Sequence, residues 1–295
     1  MPSHMNAAIN NLTRLCAVLG SPIRHSASPA MHNAAFAQLG LNWRYVAFEV
    51  DPKNLRAAIE GARAMQFAGL NLTVPHKLLA VDMVDELDAS AQTWGAVNTI
   101  QFVADAKGSI RTLGSNTDAE GLANSLREDL SLNLQGAKVL LLGAGGAGRT
   151  AALKLAAEKV AELFLVNRTK SKAEVVAIEI QRQFPSVKVT VGYPTKEVDL
   201  LLNATSLGLR PEDDLPLDER QFSLKQACKV YDMIYRPAGT PLLSAAKLAG
   251  CTTANGIGML VHQGAKAFEL WTGLAAPVSV MRDAVERSVY GNASP

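Results

Sequence analysis

Short apolar runs alternate along the chain with longer stretches in which apolar positions recur at helical spacing. In the first third, the runs at 15–19, 43–50 and 70–74 predict strands, and the segments at 29–39 and 55–65 predict helices. Strands that alternate with helices are typical of the α/β fold class. The pattern of this first third therefore predicts an α/β unit.

The same alternation continues to the C-terminus. It predicts a helix at 78–87, a hairpin formed by 97–103 and 109–113, and a helix at 118–130. Two helices are predicted to end the chain, after further strands at 138–142, 163–166, 187–191, 200–204, 230–234 and 252–254. The whole chain is therefore predicted to be α/β.

A glycine-rich turn follows the apolar run at 138–142. The turn reads Gly143-Ala144-Gly145-Gly146-Ala147-Gly148, and a helix-forming stretch comes next. A strand, a Gly-x-Gly-x-x-Gly turn and a helix together place the pyrophosphate of a dinucleotide at a helix N-terminus. The spacing therefore predicts that the middle of the chain binds a dinucleotide.

The apolar run at 163–166 indicates which dinucleotide is bound. It ends in Asn167-Arg168-Thr169. Enzymes that use NAD usually carry an Asp or Glu near this point, about 20 residues after the turn, where it binds the ribose 2′-hydroxyl. Arg168 stands there instead, and an arginine forms charge-assisted hydrogen bonds to a 2′-phosphate. NADP is therefore the predicted cofactor.

Composition narrows the class of protein. A chain of 295 residues is expected to form two domains, and its 48% hydrophobic and 19% charged residues exclude a disordered chain. The net charge of +2 does not indicate the basic surface of a nucleic-acid-binding protein. The sequence also has no run of about 18 apolar residues, the length needed to span a membrane. About 117 residues precede the glycine-turn unit, so we expect this first part to supply the substrate and catalytic groups.

Cysteine and histidine usage and the N-terminus add three expectations. The chain begins without a charged segment followed by an apolar one, so a cytoplasmic protein is expected. Its cysteines, Cys16, Cys228 and Cys251, are scattered in apolar context and are predicted to be buried reduced thiols. The five histidines show no metal-ligand spacing, so no metal is expected.

Lys77 and Asp118 are the candidate acid–base residues. Lys77 follows a strand that ends at Pro75, at the start of a predicted helix, where the positive end of the helix dipole repels an ammonium group. This repulsion favours proton exchange with a substrate hydroxyl near neutral pH. Asp118 follows Asn116-Thr117 at another helix start. The alternatives are a solvated surface lysine and an aspartate that only complements its helix.

Other polar residues have both structural and functional interpretations. Ser28 precedes Pro29 and is predicted to cap the next helix, whereas Ser26 has no such role and is the stronger binding candidate. Asn98 lies at a strand start, Gln263 lies on a helix, and Tyr235 follows the strand at 230–234. His25, His32 and His76 are predicted to be structural rather than acids or bases.

Taken in order, several strings resemble the shikimate dehydrogenase family. The resemblance runs from about residue 14 to 290 and rests on the strings at 20–29, 71–77, 95–99, 116–118, 143–149, 167–169, 203–206, 231–235 and 256–263. It implies an N-terminal α/β substrate-binding domain at 1–117, completed by C-terminal helices at 257–295. A Rossmann-like NADP-binding domain would occupy 118–256.

The resemblance also implies a reaction and residue roles. The reaction is the NADPH-linked reduction of 3-dehydroshikimate to shikimate and its reverse, with Lys77 and Asp118 as the catalytic pair. The substrate carboxylate would be bound by Ser26, Ser28, Thr73 and Tyr235, and the ring hydroxyls by Lys77, Asn98, Asp118 and Gln263. The cofactor would be bound by Gly143, Ala144, Gly145, Gly146, Ala147, Asn167, Arg168, Thr169, Lys172, Thr205, Met233, Gly256 and Met259.

Two other functions remain open at this point. One is a quinate/shikimate dehydrogenase that works catabolically with NAD or NADP, although Arg168 and Lys172, with no acid beside them, favour NADP. The other is a low-activity paralogue that binds NADP as a sensor, although intact Lys77 and Asp118 favour an enzyme. The expected partner is a small molecule, with no nucleic acid or membrane, and the protein is expected to be a monomer or a homodimer.

Overall fold

The structure is a computed structural model that describes residues 9–105, 108–210 and 212–291. The chain forms two compact units. The first takes the described residues up to Asp118 together with those from Leu260 onward, and the second is Ala119–Met259. These boundaries lie within one helical turn of the predicted domain boundaries.

The first unit contains a mixed six-stranded sheet. Its strands are β1 (Arg14–Gly20), β2 (Trp43–Glu49), β3 (Gly69–Leu72), β4 (Glu86–Leu87), β5 (Thr99–Ala104) and β6 (Ile110–Ser115). They lie in the order β2-β1-β3-β5-β6-β4, and β5 runs antiparallel to both of its neighbours. Its helices are α1 (Ser28–Gln38), α2 (Leu55–Ala64), α3 (His76–Leu79), α4 (Ala89–Trp94), α9 (Ile257–Thr272) from Leu260 onward, and α10 (Val278–Tyr290).

A glycine allows helix α9 to pack closely on this sheet. A Cβ atom at Gly69, the first residue of β3, would lie 2.0 Å from Nε1 of Trp271 in α9. The same indole nitrogen donates a hydrogen bond to the backbone oxygen of Ile100 in β5 (3.1 Å). The indole therefore occupies the space that a larger residue at position 69 would need.

The second unit is a parallel sheet with the Rossmann strand order. Its strands are β7 (Lys138–Leu142), β8 (Glu162–Val166), β9 (Lys188–Val191), β10 (Val198–Asn203), β11 (Ala227–Asp232) and β12 (Thr252–Asn255). They lie in the order β12-β11-β10-β7-β8-β9, so the direction of strand addition reverses between β7 and β10. Its helices are α5 (Asp118–Leu130), whose first residue belongs to the first unit, α6 (Gly146–Ala157), α7 (Lys170–Gln183) and α8 (Pro241–Leu248).

The apolar pattern explains this second sheet. Strands β7 and β10 lie at its centre and contain the uninterrupted apolar runs at 139–142 and 200–202, because a central parallel strand is covered on both faces. The α/β class, the Rossmann-like unit and the return of the C-terminal helices to the first unit are confirmed.

The predicted helix at 78–87 is wrong. The chain forms the four-residue α3, a 3₁₀ turn at Ala80–Asp82 and then strand β4. Long-range hydrogen bonds override the apolar spacing here, since the Asp85 carboxylate accepts from both the backbone nitrogen (2.7 Å) and the hydroxyl of Thr112 (2.9 Å). These bonds hold the segment beside β6.

Helix α4 was not predicted, although its ends carry the usual signals. Asp88 caps it by accepting from the backbone nitrogen of Ala91 (2.8 Å), and Gly95 ends it in the left-handed conformation. The intervening residues Ser90-Ala91-Gln92-Thr93 carry too little apolar periodicity to reveal a helix this short.

The prediction of buried thiols is wrong for one cysteine. Cys16 is buried in β1 and Cys251 is half-buried, but Cys228 is exposed at the amino-terminal end of β11, where side chains alternate between the two faces. All three thiols are free. Among the described residues, no helix combines the length and apolar character required to cross a bilayer.

Candidate functional site

Sheet topology brings several polar residues of the first unit to one edge of the sheet, the edge formed by the ends of its strands. Strands β1, β3 and β6 end at this edge, and β5 begins there because it runs antiparallel to its neighbours. In register, Asn71 pairs with Thr99, and Thr99 pairs with Ser115. Residues just beyond these strand ends, such as Thr73, Asn98 and Asp118, are therefore placed along the same edge.

Lys77 and Asp118 form an ion pair at this edge. The Nζ atom of Lys77 donates to Oδ2 of Asp118 at 2.7 Å, and the two side chains are 30% and 13% exposed. The backbone supports both residues, since the Lys77 carbonyl accepts from the backbone nitrogen of Val97 (2.8 Å) and the Asp118 backbone nitrogen donates to Asn116 Oδ1 (3.1 Å). The pair is enclosed but still reachable from solvent.

Asn98 connects this edge with helix α9. Its amide nitrogen donates to Oγ1 of Thr117 (2.9 Å) and to Oε1 of Gln263 (3.4 Å), while its amide oxygen accepts from the Thr117 backbone nitrogen (2.8 Å). Asn98 is 1% exposed. Gln263 also donates to the backbone oxygen of Leu260 within α9 (2.8 Å). The structure thus brings Asn98 and Gln263 together, as the predicted site requires.

Sequence reasoning missed the hydrogen-bond network behind Asn98. Asn71 donates through its amide to the Asn98 carbonyl (3.1 Å) and to Oγ1 of Thr99 (3.0 Å), and its Oδ1 accepts from the Tyr45 hydroxyl (2.7 Å). All four residues are buried. The available signal was an asparagine between two buried leucines of β3, because a buried amide needs partners.

The structure contradicts the predicted helix cap at Ser28 and gives Ser26 a local hydrogen bond. Helix α1 begins at Ser28 itself, its cap residue is Ala27, and no side chain caps it. Burial raises the pKa of the Tyr45 phenol, and a side-chain hydrogen bond with Ser28 opposes that rise. Ser26 accepts through Oγ from the Ser28 backbone nitrogen (3.3 Å), so it has a local bond that the sequence did not indicate. Helix capping therefore does not account for Ser28.

Thr73 lies half-buried directly after β3. Its backbone nitrogen donates to the Leu19 carbonyl (2.9 Å), which ties the loop to the end of β1. Its methyl group occupies the space next to Gly20, where an added Cβ would approach it to 2.5 Å. Gly20 therefore lets this loop lie close to the end of β1.

The histidines differ in exposure. His25 is exposed, whereas His32 and His76 are fully buried. His32 stacks on Tyr45 with ring centroids 4.3 Å apart, and burial lowers its pKa to about 3. It is therefore neutral near pH 7 and belongs to the aromatic core of the first unit.

In the second unit, the glycine turn lies at the carboxyl end of β7. Gly143 has φ +104°, and a Cβ atom there would lie 2.9 Å from the backbone of Ala204, which follows β10. A Cβ at Gly148 would lie 2.1 Å from the Gly143 carbonyl oxygen, so the third glycine permits close packing of helix on turn. The turn is therefore placed at the switch point of the sheet.

The start of helix α6 suits a phosphate group. Gly145 is its cap residue and offers no side chain, so no cap bond occupies the first-turn donors. Cβ atoms at Gly145 and Gly146 would meet nothing within 4 Å, so the backbone is open to a ligand there. Backbone donors and the helix dipole together favour an anion, and the pyrophosphate of a dinucleotide fits this chemistry.

The segment after β8 is fixed to the glycine turn by Asn167. Its Oδ1 accepts from the Ala144 backbone nitrogen (2.9 Å), and its Nδ2 donates to the Thr169 carbonyl (2.8 Å). The predicted 2′-phosphate residues on this segment and the first turn of α7 are all exposed: Arg168, Thr169 and Lys172. Asn167 thus holds the basic segment next to the turn.

Arg149 has a different role from these exposed cations. Its guanidinium contacts Glu179 of α7, with Nε 2.8 Å from Oε2 and a second nitrogen 2.5 Å from Oε1. This bidentate pair joins helices α6 and α7. Arg149 is therefore part of the scaffold of the second unit.

The remaining cofactor candidates surround the carboxyl ends of β10 and β11. Thr205 donates through its backbone nitrogen (3.0 Å) and its hydroxyl (2.8 Å) to Oδ1 of Asn203. A Cβ at Gly256 would lie 2.1 Å from the Met233 carbonyl oxygen, so these two segments touch. Tyr235, a predicted substrate residue, lies in this second unit, and burial raises its pKa. Met259 is half-buried on α9.

The two sites support different chemistry. The Lys77–Asp118 pair can exchange a proton with a bound hydroxyl, and the amide groups of Asn98 and Gln263 can hold further hydroxyls. The glycine turn and the exposed cations can hold a phosphorylated dinucleotide. Within the described ranges, no cluster of three or more His, Cys, Asp or Glu residues could hold a metal ion.

Three family models match the chain along its length. The model for the shikimate dehydrogenase substrate binding domain matches residues 18–100, and the model for shikimate / quinate 5-dehydrogenase matches 124–207. The model for the shikimate 5′-dehydrogenase C-terminal domain matches 256–286.

Similar proteins extend over nearly the whole chain. The NADP(+) shikimate dehydrogenase of Methanopyrus kandleri is 42% identical over 288 residues, which cover 95% of this chain and 98% of that protein. A crystal structure of a shikimate dehydrogenase with NADP+ has a TM-score of 0.86 at 36% identity, covering 97% of this chain and 99% of the other. The ligand-free 5-ketofructose reductase of a Gluconobacter strain has a TM-score of 0.82 at 33% identity, with 94% and 99% covered. The chain belongs to the shikimate dehydrogenase family.

Proposed function

We propose that this protein catalyses the NADP-dependent, reversible reduction of 3-dehydroshikimate to shikimate, a step of chorismate and aromatic amino-acid biosynthesis. The observation that carries the proposal is the Lys77–Asp118 ion pair, which lies beside Asn98 at the same edge of the first sheet. The family of the chain gives this pair its meaning. The NADP-bound shikimate dehydrogenase of the same fold supports the choice of cofactor.

Lys77 and Asp118 divide the proton chemistry between them. NADPH, when bound, supplies a hydride to the ring carbonyl carbon, and NADP+ accepts it in the reverse direction. Lys77 gives a proton to the carbonyl oxygen as it becomes a hydroxyl, because its Nζ is the more exposed member of the pair. Asp118, 2.7 Å away, orients the ammonium and accepts from the hydroxyl.

The other residues of the first unit bind the rest of the substrate. Ser26, Ser28, Thr73 and Tyr235 bind the carboxylate, and for Ser28 this role is compatible with the absence of a cap bond to its hydroxyl. Asn98 and Gln263 hold ring hydroxyls. The hydrogen bonds that Asn98 makes with Thr117 and Gln263 set the orientations of the two amide groups.

The second unit binds the cofactor. Backbone groups of Gly143, Ala144, Gly145, Gly146 and Ala147 hold the pyrophosphate, which the open start of α6 supports. Asn167, Arg168, Thr169 and Lys172 hold the 2′-phosphate, since the side chains of the last three are exposed. Thr205, Met233, Gly256 and Met259 contact the adenosine or nicotinamide parts.

The proposed substrate residues other than Tyr235 thus belong to the first unit, and the proposed cofactor residues belong to the second. We also infer a cytoplasmic enzyme that acts as a monomer or a homodimer. Free thiols, including the exposed Cys228, fit a reducing compartment.

The experiment is an activity panel on the purified protein. Shikimate and quinate are each offered with NADP+ and with NAD+, and 5-ketofructose is offered with NADPH, while absorbance follows the reduced cofactor. The proposal expects the highest kcat/KM for shikimate with NADP+. A preference for quinate would support the catabolic alternative, a preference for the ketosugar would overturn the substrate assignment, and binding without turnover would favour a sensor.

A further inference from the structure

We propose that Asp232 is a positioning residue, which fixes the loop at 233–239 and thereby places Met233 and Tyr235 for the reaction. The inference rests on the proposed function, which assigns Met233 to the cofactor and Tyr235 to the substrate. Asp232 itself does not touch either ligand, because it is 0% exposed at the end of β11. Its contribution is to the geometry of the loop.

Three donors surround the Asp232 carboxylate. Its Oδ1 accepts from Nδ2 of Asn203 (3.0 Å) and from the backbone nitrogen of Ile234 (3.1 Å). Its Oδ2 accepts from the hydroxyl of Thr240 at 2.7 Å. Burial raises the pKa of Asp232, and the bonds from Thr240, Ile234 and Asn203 oppose that rise. The carboxylate is therefore held by its partners and not by solvent.

Two of these donors, Ile234 and Thr240, lie at the two ends of the loop. Ile234 is at its beginning, and Thr240 is the residue immediately after its end and caps helix α8 through a bond from the Leu243 backbone nitrogen (3.2 Å). One carboxylate thus closes the base of the loop. Tyr235 lies between these two attachment points, and Met233 lies between Asp232 and the first of them, so the backbone positions of both residues depend on these bonds.

The same carboxylate also reaches the neighbouring segment through Asn203. The amide nitrogen of Asn203 donates to Asp232 and to the Leu207 carbonyl (3.2 Å). Its Oδ1 accepts hydrogen bonds from the backbone nitrogen and the hydroxyl of Thr205. Because Oδ1 receives these two donors, the amide nitrogen must face Asp232. Thr205, Met233 and Tyr235 therefore share one buried anchor.

Stability alone is a weak reason for such a residue. A buried carboxylate gives up its hydration, and an apolar side chain of similar volume often stabilises a fold as well or better. Positional control of the two segments accounts for a carboxylate here, since one of its oxygens accepts from Asn203 and Ile234 while the other accepts from Thr240.

The test separates loop geometry from folding by means of the donor at position 240. Thr240→Val keeps the shape of the side chain and removes the hydroxyl, whereas Thr240→Ser keeps the hydroxyl. We expect Thr240→Val to lower kcat/KM for shikimate with NADP+ by about 10-fold or more, since misplaced groups cost up to roughly 100-fold. Thr240→Ser should restore most of the activity.

A second readout distinguishes positioning from a general loss of structure. The inhibition constant of adenosine 2′,5′-bisphosphate reports mainly the 2′-phosphate contacts on the segment after β8, which Asn167 fixes independently of Asp232, and should stay within about 2-fold of the wild-type value. Asp232→Asn keeps the size of the side chain and replaces one acceptor by a donor facing Thr240. Like Thr240→Val, it should lower kcat/KM for shikimate with NADP+. Ser223→Ala removes a helix cap elsewhere in the second unit and should change neither quantity.

Two results would overturn the inference. One is an unchanged kcat/KM in both Thr240→Val and Asp232→Asn. The other is a loss of adenosine 2′,5′-bisphosphate binding in proportion to the loss of activity, which indicates that the unit as a whole is disturbed. Failure of the proposed function has a different signature, because the wild-type protein would then show no NADPH formation with shikimate, and this inference would fall with it.

Discussion

The Nζ atom of Lys77 lies 2.7 Å from Oδ2 of Asp118, and this contact joins two residues that are 41 positions apart in the chain. Lys77 comes from the short helix α3 after β3, and Asp118 begins helix α5 after β6. Both strands end at the same edge of the sheet because β5 lies antiparallel between them. The pair is therefore a product of sheet topology.

Removing the ammonium should slow the chemical step more than it weakens binding. For Lys77→Ala we expect kcat to fall by about 10²-fold or more, the usual contribution of a positioned acid–base group, while KM for shikimate changes much less. Steady-state kinetics with shikimate and NADP+ measures both constants. A wild-type kcat would contradict the role of Lys77.

An exposed ion pair in the same unit provides the matched control. Lys53 lies 3.4 Å from Asp51, and both of these side chains are largely exposed. Lys53→Ala removes the same group and an ion pair of the same type, so it should leave kcat and KM close to wild type. Equal losses in the two variants would indicate a nonspecific effect of charge.

Local patterns in the sequence were sufficient to predict the sheets and the order of the site strings. The strand at 138–142, the glycine turn and the helix after it are defined by residues close together in the chain, and the structure confirms this unit. The resemblance then predicts which polar residues act with Lys77. Apolar runs and turn residues carry this information because they act over short distances.

Contacts over long distances were beyond what the sequence could predict. The segment at 78–87 has helical spacing, but the bonds between Asp85 and Thr112 hold it beside β6 instead. Asn71 lies in the sequence string at 71–77, yet its bonds to Tyr45 and Thr99 depend on strand register. A single sequence does not contain register, so the network behind Asn98 had to come from the structure.

Cofactor preference should depend on the cation after β8. We expect Arg168→Asp to raise KM for NADP+ by about 10- to 100-fold, since a hydrogen bond to a charged group contributes about 1.5–3 kcal/mol and the new carboxylate would repel the 2′-phosphate. KM for NAD+ should change far less. Kinetics with each cofactor at saturating shikimate measures the ratio.

Arg182→Asp makes the same change of charge on the exposed surface of α7 and serves as the control. It should leave the ratio of the two KM values unchanged. If Arg168→Asp weakened NADP+ and NAD+ equally, the assignment of Arg168 to the 2′-phosphate would be wrong.

His32 should make the folded protein sensitive to acid. Burial holds its pKa at about 3, whereas a histidine in an unfolded chain has a pKa near 6.5. Between these values only the unfolded chain takes up the proton. The free energy of unfolding therefore decreases as the pH is lowered through this window, by up to about 1.4 kcal/mol per pH unit. Above pH 6.5 this contribution to stability is fully present.

The prediction can be isolated with two core variants. His32→Leu removes the titrating ring and should flatten the dependence of the unfolding free energy on pH between about 6.5 and 5, measured by urea denaturation. Phe36→Leu, beside His32 in the same aromatic core, should lower stability by a similar amount at every pH and keep the wild-type slope. An unchanged slope in His32→Leu would contradict the assignment.

Two glycines of the first unit should respond very differently to alanine. A Cβ at Gly69 would lie 2.0 Å from Nε1 of Trp271, and that indole is held by its bond to Ile100. A Cβ at Gly264 would lie 2.1 Å from Cε of Met31, the free end of a flexible side chain. The distances are nearly equal, so the mobility of the neighbour decides the outcome.

We expect Gly69→Ala to lower the free energy of unfolding by about 1–3 kcal/mol, the usual cost of overpacking, because the indole cannot move without losing its hydrogen bond to Ile100. Gly264→Ala should cost less than about 1 kcal/mol, since Met31 can adopt another rotamer and alanine favours the helix over glycine. Urea denaturation of both variants at one pH measures the difference. Equal losses would show that the Trp271 ring adapts as easily as a methionine, which would contradict its role as a fixed contact between α9 and the sheet.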